Sequence, residues 1–252
     1  MFRSLEKLIG YQLLAQDGDI GKCKDFLFDD HRWTVRYMVA DTGTWLPGRK
    51  VLTSPISLGE PDWASRRFPI RLTKEQIESS PPLGEAEPVS RQYEERLFNY
   101  HHWPYYWTAD SLWAFSDFPA EHPMESPETM AQTALHPPDT SLRSADEVKG
   151  YDVGATDGDI GHVDDFIVED ASWAVRYIVV DLSRWLPSRK VLLSPSWIQS
   201  VDWPGKKVHV DVTREQVKNG PEYNPSEPVN REYEVVLYDY YGRPHYWEHV
   251  DR

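Results

Sequence analysis

The chain contains an internal duplication, and this feature limits its fold more than any other. The stretch from Gly10 to Gly21 returns 140 positions later as Gly150 to Gly161, and both versions end in Asp-Gly-Asp-Ile-Gly. The match continues without a gap, and about two positions in five are identical, which chance does not produce. Each repeat has the size of a small domain. The duplication therefore predicts two domains of one fold.

Each repeat consists of short apolar runs separated by turn residues, a pattern that predicts a small antiparallel β-barrel. In the first repeat, residues 22–28 and 33–39 are rich in β-branched and aromatic side chains and predict a hairpin. Shorter strands are predicted at residues 8–14, 51–52 and 67–72. Thr73 and Gln76 have the spacing of a capping box, which predicts a short helix. The second repeat gives the same reading, so the predicted fold is mainly β.

An amphipathic helix is predicted after each barrel, followed by an aromatic tail. Apolar residues recur at helical spacing in both repeats: Val89, Tyr93, Leu97 and Tyr100 in the first, and Val229, Tyr233, Leu237 and Tyr240 in the second. The tails cover residues 101–107 and 241–247. Aromatic side chains of this density form either a lid over the barrel or a box for a ligand.

A segment without a counterpart separates the repeats. Residues 108–142 contain five prolines and read as an extended linker. The predicted organisation is thus a first barrel with its helix and tail over residues 1–107, the linker over 108–142, and a second barrel with its helix and tail over 143–252.

The acidic composition argues against several classes of function. The net charge is −14, of which residues 1–107 carry only −1. Such a chain repels phosphate backbones, so no nucleic-acid partner is expected. No apolar run reaches the roughly 20 residues that a membrane span needs. The one cysteine, Cys23, faces Val163 in the other repeat, and this usage favours a reducing, cytoplasmic location.

The duplication also tests for catalytic residues, since a symmetric centre needs the same chemistry in both repeats. No histidine occurs at matching positions, so neither a Ser-His nor a Cys-His centre is supported. The best candidate for a metal is the Asp-Gly-Asp turn, in which Asp17 and Asp19 could bind Ca²⁺ with Asp25. An EF-hand needs more oxygen ligands than these. A hairpin turn is therefore predicted here, with no metal, no cofactor and no enzymatic activity.

One ion pair is predicted to hold each barrel together. Arg36 and Arg176 lie in the middle of apolar strands, where a half-buried guanidinium requires a carboxylate. Asp25 and Asp165 are the predicted partners. Glu94 and Glu234 are the alternative, and a clamp for a ligand is the competing reading.

The loop after the second strand of the hairpin is the most site-like feature of each repeat. A tryptophan, an arginine and a lysine recur there as Trp45, Arg49 and Lys50 and as Trp185, Arg189 and Lys190. Loops that present these residues together are typical of protein–protein interfaces. The alternative is a tryptophan that caps its barrel beside two solvated cations.

Several of these motifs together resemble the PRC-barrel superfamily. They are Gly10 with Gly18-Asp-Ile-Gly21, the Asp25-Phe26 pair, the Arg36-Tyr37 strand and the Gln76-Ile77 helix end, each with its counterpart in the second repeat. The superfamily is named for the cytoplasmic domain of the photosynthetic reaction centre H subunit, and it includes the C-terminal domain of the ribosome maturation factor. Residues 142–151 and the Trp-Leu-Pro loop look like bacterial proteins with two tandem PRC-barrel domains.

The resemblance covers about residues 3–107 and 143–247 and implies a strongly bent antiparallel sheet that docks other molecules. The resemblance does not extend to the membrane helix of the reaction centre H subunit or to the RNA-processing partner domain of the ribosome maturation factor, so it implies neither of their functions. The expected function is a non-enzymatic scaffold that binds a protein partner. A small-molecule or pigment binder that uses the aromatic tails is the alternative. Pairing of the two barrels within the chain and a homodimer both stay open.

Overall fold

The computed structural model describes residues 1–85, 87–108, 112–113, 116–119, 141–183, 186 and 188–248. The protein is mainly β, with two mixed sheets and few helices. Most of the linker predicted at 108–142 lies outside the described residues.

The first repeat begins with a short strand and helix, β1 (Phe2–Ser4) and α1 (Leu5–Leu8). Its remaining strands are β2 (Gln12–Ala15), β3 (Gly18–Asp29), β4 (Thr34–Asp41), β5 (Val51–Thr53) and β6 (Arg67–Pro69). Helices α2 (Lys74–Ser79) and α3 (Arg91–His101) follow. The predicted hairpin is confirmed as β3 and β4, whereas α1 was not predicted.

The second repeat has the same order of elements. It consists of β7 (Leu142–Ser144), α4 (Ala145–Val148), β8 (Asp152–Ala155), β9 (Gly158–Glu169), β10 (Val175–Asp181), β11 (Lys190–Leu193), β12 (Ile198–Asp202), β13 (Lys207–Val210), α5 (Arg214–Asn219) and α6 (Arg231–Tyr241). The additional strand β12 aligns with residues 58–62 of the first repeat. Pro61 stands there in place of Val201 and has no N–H for a sheet hydrogen bond.

The sheets differ from the predicted antiparallel barrels in two respects. Their strand orders are β5-β4-β3-β2-β6 and β11-β10-β9-β8-β13-β12, and neither sheet closes into a barrel within the described residues. One pair in each sheet is parallel, namely β2 with β6 and β8 with β13. A parallel pair needs a long connection, and here the intervening strands β3, β4 and β5 supply it in the first repeat.

The two compact units of the chain do not follow the boundaries of the repeats. The first-repeat unit comprises Lys7–Asp146 and Ala171–Ala174. The second-repeat unit comprises Met1–Glu6, Glu147–Asp170 and Val175–Arg252. Each unit therefore contains the opening strand of the other repeat. We call residues 1–6 the first docked segment and residues 142–146 the second docked segment.

Each docked segment adds a strand to a long host strand. β1 pairs antiparallel with the end of β9, where Phe2 faces Glu169, and Ser4 faces Ile167. β7 pairs with the end of β3 in the same register, 140 positions apart, so that Ser144 faces Leu27. The host strands have twelve residues each, and their earlier halves pair with β2 and β8. Their length is what leaves an edge for the added strand.

The hairpin turn of the second repeat also enters the first-repeat unit. Trp173 is buried, and its ring lies 6.0 Å from that of Phe26 and 6.2 Å from that of Phe68. The backbone N–H of Val35 donates to the Trp173 carbonyl at 2.9 Å. Its counterpart Trp33 stacks on Phe28 instead, at 5.2 Å. Aromatic packing thus fastens this turn into the core of the unit.

The repeated Gly-Asp-Ile-Gly stretch is explained by close contact between backbones. A Cβ atom at Gly21 would lie 1.9 Å from the Asp41 carbonyl oxygen, and one at Gly161 would lie 2.1 Å from that of Asp181. No side chain fits at these distances. The stretch is the tight start of each host strand, as the predicted hairpin turn requires.

The helices begin where their capping residues predict. Thr73 with Gln76 and Thr213 with Gln216 form complete capping boxes for α2 and α5, which confirms that prediction. Ser90 begins α3, and its hydroxyl accepts from the Tyr93 N–H. The predicted apolar stripe is buried at Val89, Tyr93 and Leu97. The prediction is wrong at its last members, because Tyr100 and Tyr240 are exposed.

Candidate functional site

The most regular site in the structure is the clamp that holds each docked segment. In the second-repeat unit, the Ser4 hydroxyl donates to Asp165 Oδ2 at 2.5 Å, and the Glu6 N–H donates to Asp165 Oδ1 at 3.0 Å. In the first-repeat unit, the Ser144 hydroxyl and the Asp146 N–H donate to Asp25 at 2.6 and 3.1 Å. One carboxylate thus fixes both the strand and the helix start that follows it.

A second ion pair and an apolar anchor complete the clamp. Arg3 Nε lies 3.1 Å from Asp170 Oδ2, and Arg143 Nε lies 2.8 Å from Asp30 Oδ2. Behind the strand, Leu5 is buried in the second-repeat unit. The units therefore recognise the same short pattern in each docked segment, an Arg-Ser pair followed by an apolar residue.

A bulge in each host strand positions the clamp carboxylate. The register of β3 against β4 shifts between Cys23 and Asp25, and that of β9 against β10 shifts at the equivalent place. An extra residue in one strand redirects the neighbouring side chains. Burial raises the pKa of both Asp25 and Asp165, and the Ser144 or Ser4 hydroxyl and the backbone N–H donors oppose that rise.

The predicted partners of the two buried arginines are wrong. Asp25 and Asp165 belong to the clamps, and Arg36 pairs with Asp29, whose Oδ2 lies 2.7 Å from Nη2. Arg176 pairs with Glu169 at 2.7 Å, at the equivalent position. These acids lie seven residues before their arginines on the neighbouring strand of the hairpin, and each arginine is the extra residue at a second register shift, between Val35 and Tyr37 or between Val175 and Tyr177.

Arg36 is fully enclosed, and its partner Asp29 is 12 % exposed. The Arg36 side chain is 0 % exposed, Nη1 donates to the Leu112 carbonyl at 2.6 Å, and the guanidinium lies 3.9 Å from the centre of the Tyr106 ring. Although burial opposes the effect, the Arg36 charge holds the pKa of Asp29 below its usual value. The Arg176 pair is more open, with both side chains 26 % exposed.

A buried glutamate on the C-terminal helix forms a second repeated network. Glu94 Oε1 accepts from the hydroxyls of Tyr37 at 2.7 Å and Tyr106 at 2.8 Å, while Arg91 Nη1 donates to Oε2 at 2.8 Å. Burial raises the pKa of Glu94, against the influence of Arg91 and the two hydroxyls. The network joins the helix, the strand β4 and the aromatic tail.

The second repeat has the same network around Glu234. Oε1 accepts from Tyr177 at 2.6 Å and Tyr246 at 3.0 Å. Arg231 Nη1 lies 2.9 Å from Oε2 as an ion pair without hydrogen-bond geometry. Glu94 and Glu234 were predicted only as alternative partners for Arg36 and Arg176, and the structure instead shows them tying helix to sheet.

The aromatic tails pack against this network. Tyr106 and Trp103 are buried, and the Trp103 ring meets Phe98 of α3 edge to face at 5.5 Å. Arg91 covers the Trp107 ring at 4.2 Å, as Arg231 covers Trp247 at 4.0 Å. These contacts are those of a lid that closes over the helix and sheet.

The cations of the predicted interface loop contact their own units. Arg49 donates to the carbonyls of Glu78 and Ser80 at 2.6 and 2.5 Å, at the end of α2, and Lys50 donates to the Glu87 carbonyl at 2.8 Å. Cations at this end of a helix stabilise its unpaired carbonyls.

In the second repeat, Arg189 donates to the Gly220 carbonyl at 2.6 Å, and Lys190 pairs with Asp164 at 2.5 Å. Trp45 is partly exposed, and the Lys74 ammonium lies 4.8 Å from its ring centre. Trp185 lies outside the described residues. The interface hypothesis for this loop therefore stays a prediction, in which Trp45 is the one partly exposed apolar member that the structure describes.

Two of the three acidic residues considered for a metal, Asp17 and Asp25, have other partners. Asp17 Oδ1 accepts from the Lys74 N–H at 2.8 Å at the start of α2, and Asp25 belongs to a clamp. In the described part of the chain, one group offers three ligand atoms within 4.8 Å of one another: His162, Asp164 and Asp181. The Lys190 ammonium already contacts Asp164 there. The first repeat has lysines in place of His162 and Asp164.

Comparison with known proteins places a family within the second repeat. The PRC-barrel domain matches residues 142–217, a range that runs from the start of β7 into α5. No curated protein matches the chain. Among the described helices, none is long and apolar enough to cross a membrane.

Proposed function

We propose that the chain is a non-enzymatic protein-interaction protein built from two PRC-barrel-like units, with the first repeat as the second member of a tandem. The support for the tandem is the repeated order of elements and the 140-residue offset of the strand registers. The cytoplasm is the proposed compartment because the single cysteine, Cys23, is buried and free.

The observation that carries this proposal is that each unit already binds a polypeptide segment from outside its own repeat. Backbone pairing along β9 or β3 supplies affinity, as in other cases of strand addition. The clamp carboxylate and the Arg-accepting aspartate supply selectivity for the Arg-Ser pair. A sheet edge that reads a short sequence in this way is a protein-binding site.

The repeated ionisable groups favour binding over catalysis. Arg36 and Glu94, like Arg176 and Glu234, hold strands, helices and tails together through contacts within their own units. The tails pack on Phe98 and Tyr238, which favours the lid over the pigment or small-molecule site.

We expect the second-repeat unit to bind its segment as a separate peptide. A variant of the chain that lacks residues 1–6 is titrated with a fluorescent synthetic peptide of residues 1–10, and anisotropy reports binding. Saturable one-to-one binding is expected. The Ser4→Ala peptide should bind roughly tenfold more weakly or worse, because a hydrogen bond to a charged carboxylate is lost.

A peptide of the same composition in scrambled order is the control for charge and stickiness, and circular dichroism checks the fold of the variant. If the folded variant ignores the peptide, or binds the scrambled peptide equally well, the proposal of a sequence-reading docking edge is refuted.

A further inference from the structure

The two docked segments share the contacts of their Arg-Ser pair and their strand register. Both carry an Arg-Ser pair, at Arg3-Ser4 and Arg143-Ser144, and both pair with their host strand in the same register. Both place their serine on an aspartate after a bulge and their arginine on a second aspartate. The shared contacts of the two host strands thus all lie within a short segment.

The contacts of the first docked segment come from residues 1–6, and Met1 contributes through its ammonium group, 2.6 Å from Asp170 Oδ1, and its carbonyl, which accepts from the Asp170 N–H at 2.9 Å. Phe2 meets Tyr177 edge to face at 6.1 Å, Leu5 is buried, and Glu6 pairs with Lys149. None of these contacts requires that the segment and the unit belong to one molecule. A second copy of the chain offers the same segment, with the same sequence and the same fit.

We propose that two copies of this chain associate by reciprocal exchange of the first docked segment, residues 1–6. This inference rests on the proposed function and names a partner for it. Each second-repeat unit then holds the segment of the other molecule, which closes a symmetric dimer in which both β9 host strands keep their added strand.

Concentration decides between the two forms. The contacts are the same in both, so the segment of the same molecule competes with an effective concentration of the order of mM. The exchanged dimer is therefore expected to form when chains fold together at high concentration. It is also expected when one molecule has an empty host strand and the other has a weakened clamp.

The test uses complementary full-length chains. An acceptor chain lacks residues 1–6, and a donor chain keeps them but carries Asp165→Ala, which weakens its own clamp. Native mass spectrometry of the mixture should show a one-to-one heterodimer that neither chain forms alone. Ser4→Ala in the donor should weaken the heterodimer roughly tenfold, whereas Ser141→Ala, just before the second docked segment, is the matched control and should leave it unchanged.

Wild-type chains give a second readout that does not depend on any variant. Isotopically heavy and light chains, unfolded and then refolded together at rising concentration, should yield mixed dimers that persist on dilution. If the chains stay monomeric up to about 1 mM and the complementary pair does not associate, the inference is overturned. Peptide binding without dimers overturns only this inference, and a folded acceptor that ignores the peptide overturns the proposed function as well.

Discussion

Replacing Arg36 with alanine is expected to lower the free energy of unfolding of the first-repeat unit by about 3–5 kcal/mol, because it leaves a buried carboxylate without its counter-charge. Arg36 is 0 % exposed and donates to both Asp29 and the Leu112 carbonyl. It also lies against the Tyr106 ring. The variant loses these contacts together.

The second repeat supplies the matched control. Arg176→Ala removes the equivalent arginine, but that arginine and Glu169 are each 26 % exposed. Water can replace part of the lost interaction there, so about 1 kcal/mol is expected. Urea unfolding followed by tryptophan fluorescence gives both values. Equal losses for the two variants would show that burial does not set the strength of these pairs.

A double variant tests whether Arg36 and Asp29 stabilise the protein as one coupled pair. Asp29→Asn added to Arg36→Ala removes the charge that the single variant leaves unpaired and keeps an oxygen that accepts from the His31 and Arg32 N–H groups, so part of the lost stability should return. Strictly additive losses would contradict the account of Arg36 and Asp29 as one coupled pair.

Replacing Glu94 with alanine is expected to cost about 3–5 kcal/mol, since two tyrosine hydroxyls and one guanidinium lose their shared acceptor in the core. Glutamine keeps an acceptor for Tyr37 and Tyr106 but turns an amide donor towards Arg91. We therefore expect Glu94→Gln to cost only about 1–2 kcal/mol at neutral pH. Glu232→Gln, on the exposed face of α6, is the control and should change stability by no more than about 0.5 kcal/mol.

The pH dependence of the Glu94→Gln variant follows from burial. Burial raises the pKa of Glu94 in the folded state above its unfolded value. At pH values between these two pKa values, the folded protein therefore binds more protons than the unfolded protein. The contribution of Glu94 to stability is fully present below the unfolded pKa and is lost as the pH rises through the folded pKa. Glutamine does not titrate, so the stability deficit of the variant should grow as the pH falls from 7 to 4. A deficit that shrinks over this range would contradict a raised pKa.

Local sequence signals predicted the parts of the fold that are decided locally. The hairpin of β3 and β4 follows from alternation over residues 22–39, and the capping boxes follow from Thr73 with Gln76 and their counterparts. The parallel pairing of β2 with β6 was missed because these strands are more than fifty residues apart, and periodicity carries no information about such pairs.

The docking of each opening strand on the unit of the other repeat could not be predicted from the sequence, because the two repeats are too similar to tell apart as hosts. Phe2-Arg-Ser and Leu142-Arg-Ser share the same Arg-Ser pair, so the sequence alone does not assign either segment to a host strand. Asp25 and Asp165 were predicted as partners of the arginines because they are acids shared by both repeats. Their partners instead lie in the docked segment of the other repeat. The observed partners of the arginines could have been found from the sequence, because Asp29 and Glu169 occupy equivalent positions of the two repeats and both are acidic.

The most direct test of this docking, in which each unit holds the opening strand of the other repeat, is to cut the chain between the repeats. A site for a specific protease is inserted between residues 121 and 140, the chain is cleaved to completion, and the products are examined by size-exclusion chromatography and native mass spectrometry. Because each half carries a strand that belongs to the unit of the other, the halves should stay together as one complex. They should separate more readily when Ser4 and Ser144 are both alanine. Two halves that elute separately from the wild-type sequence, each still folded, would contradict the account.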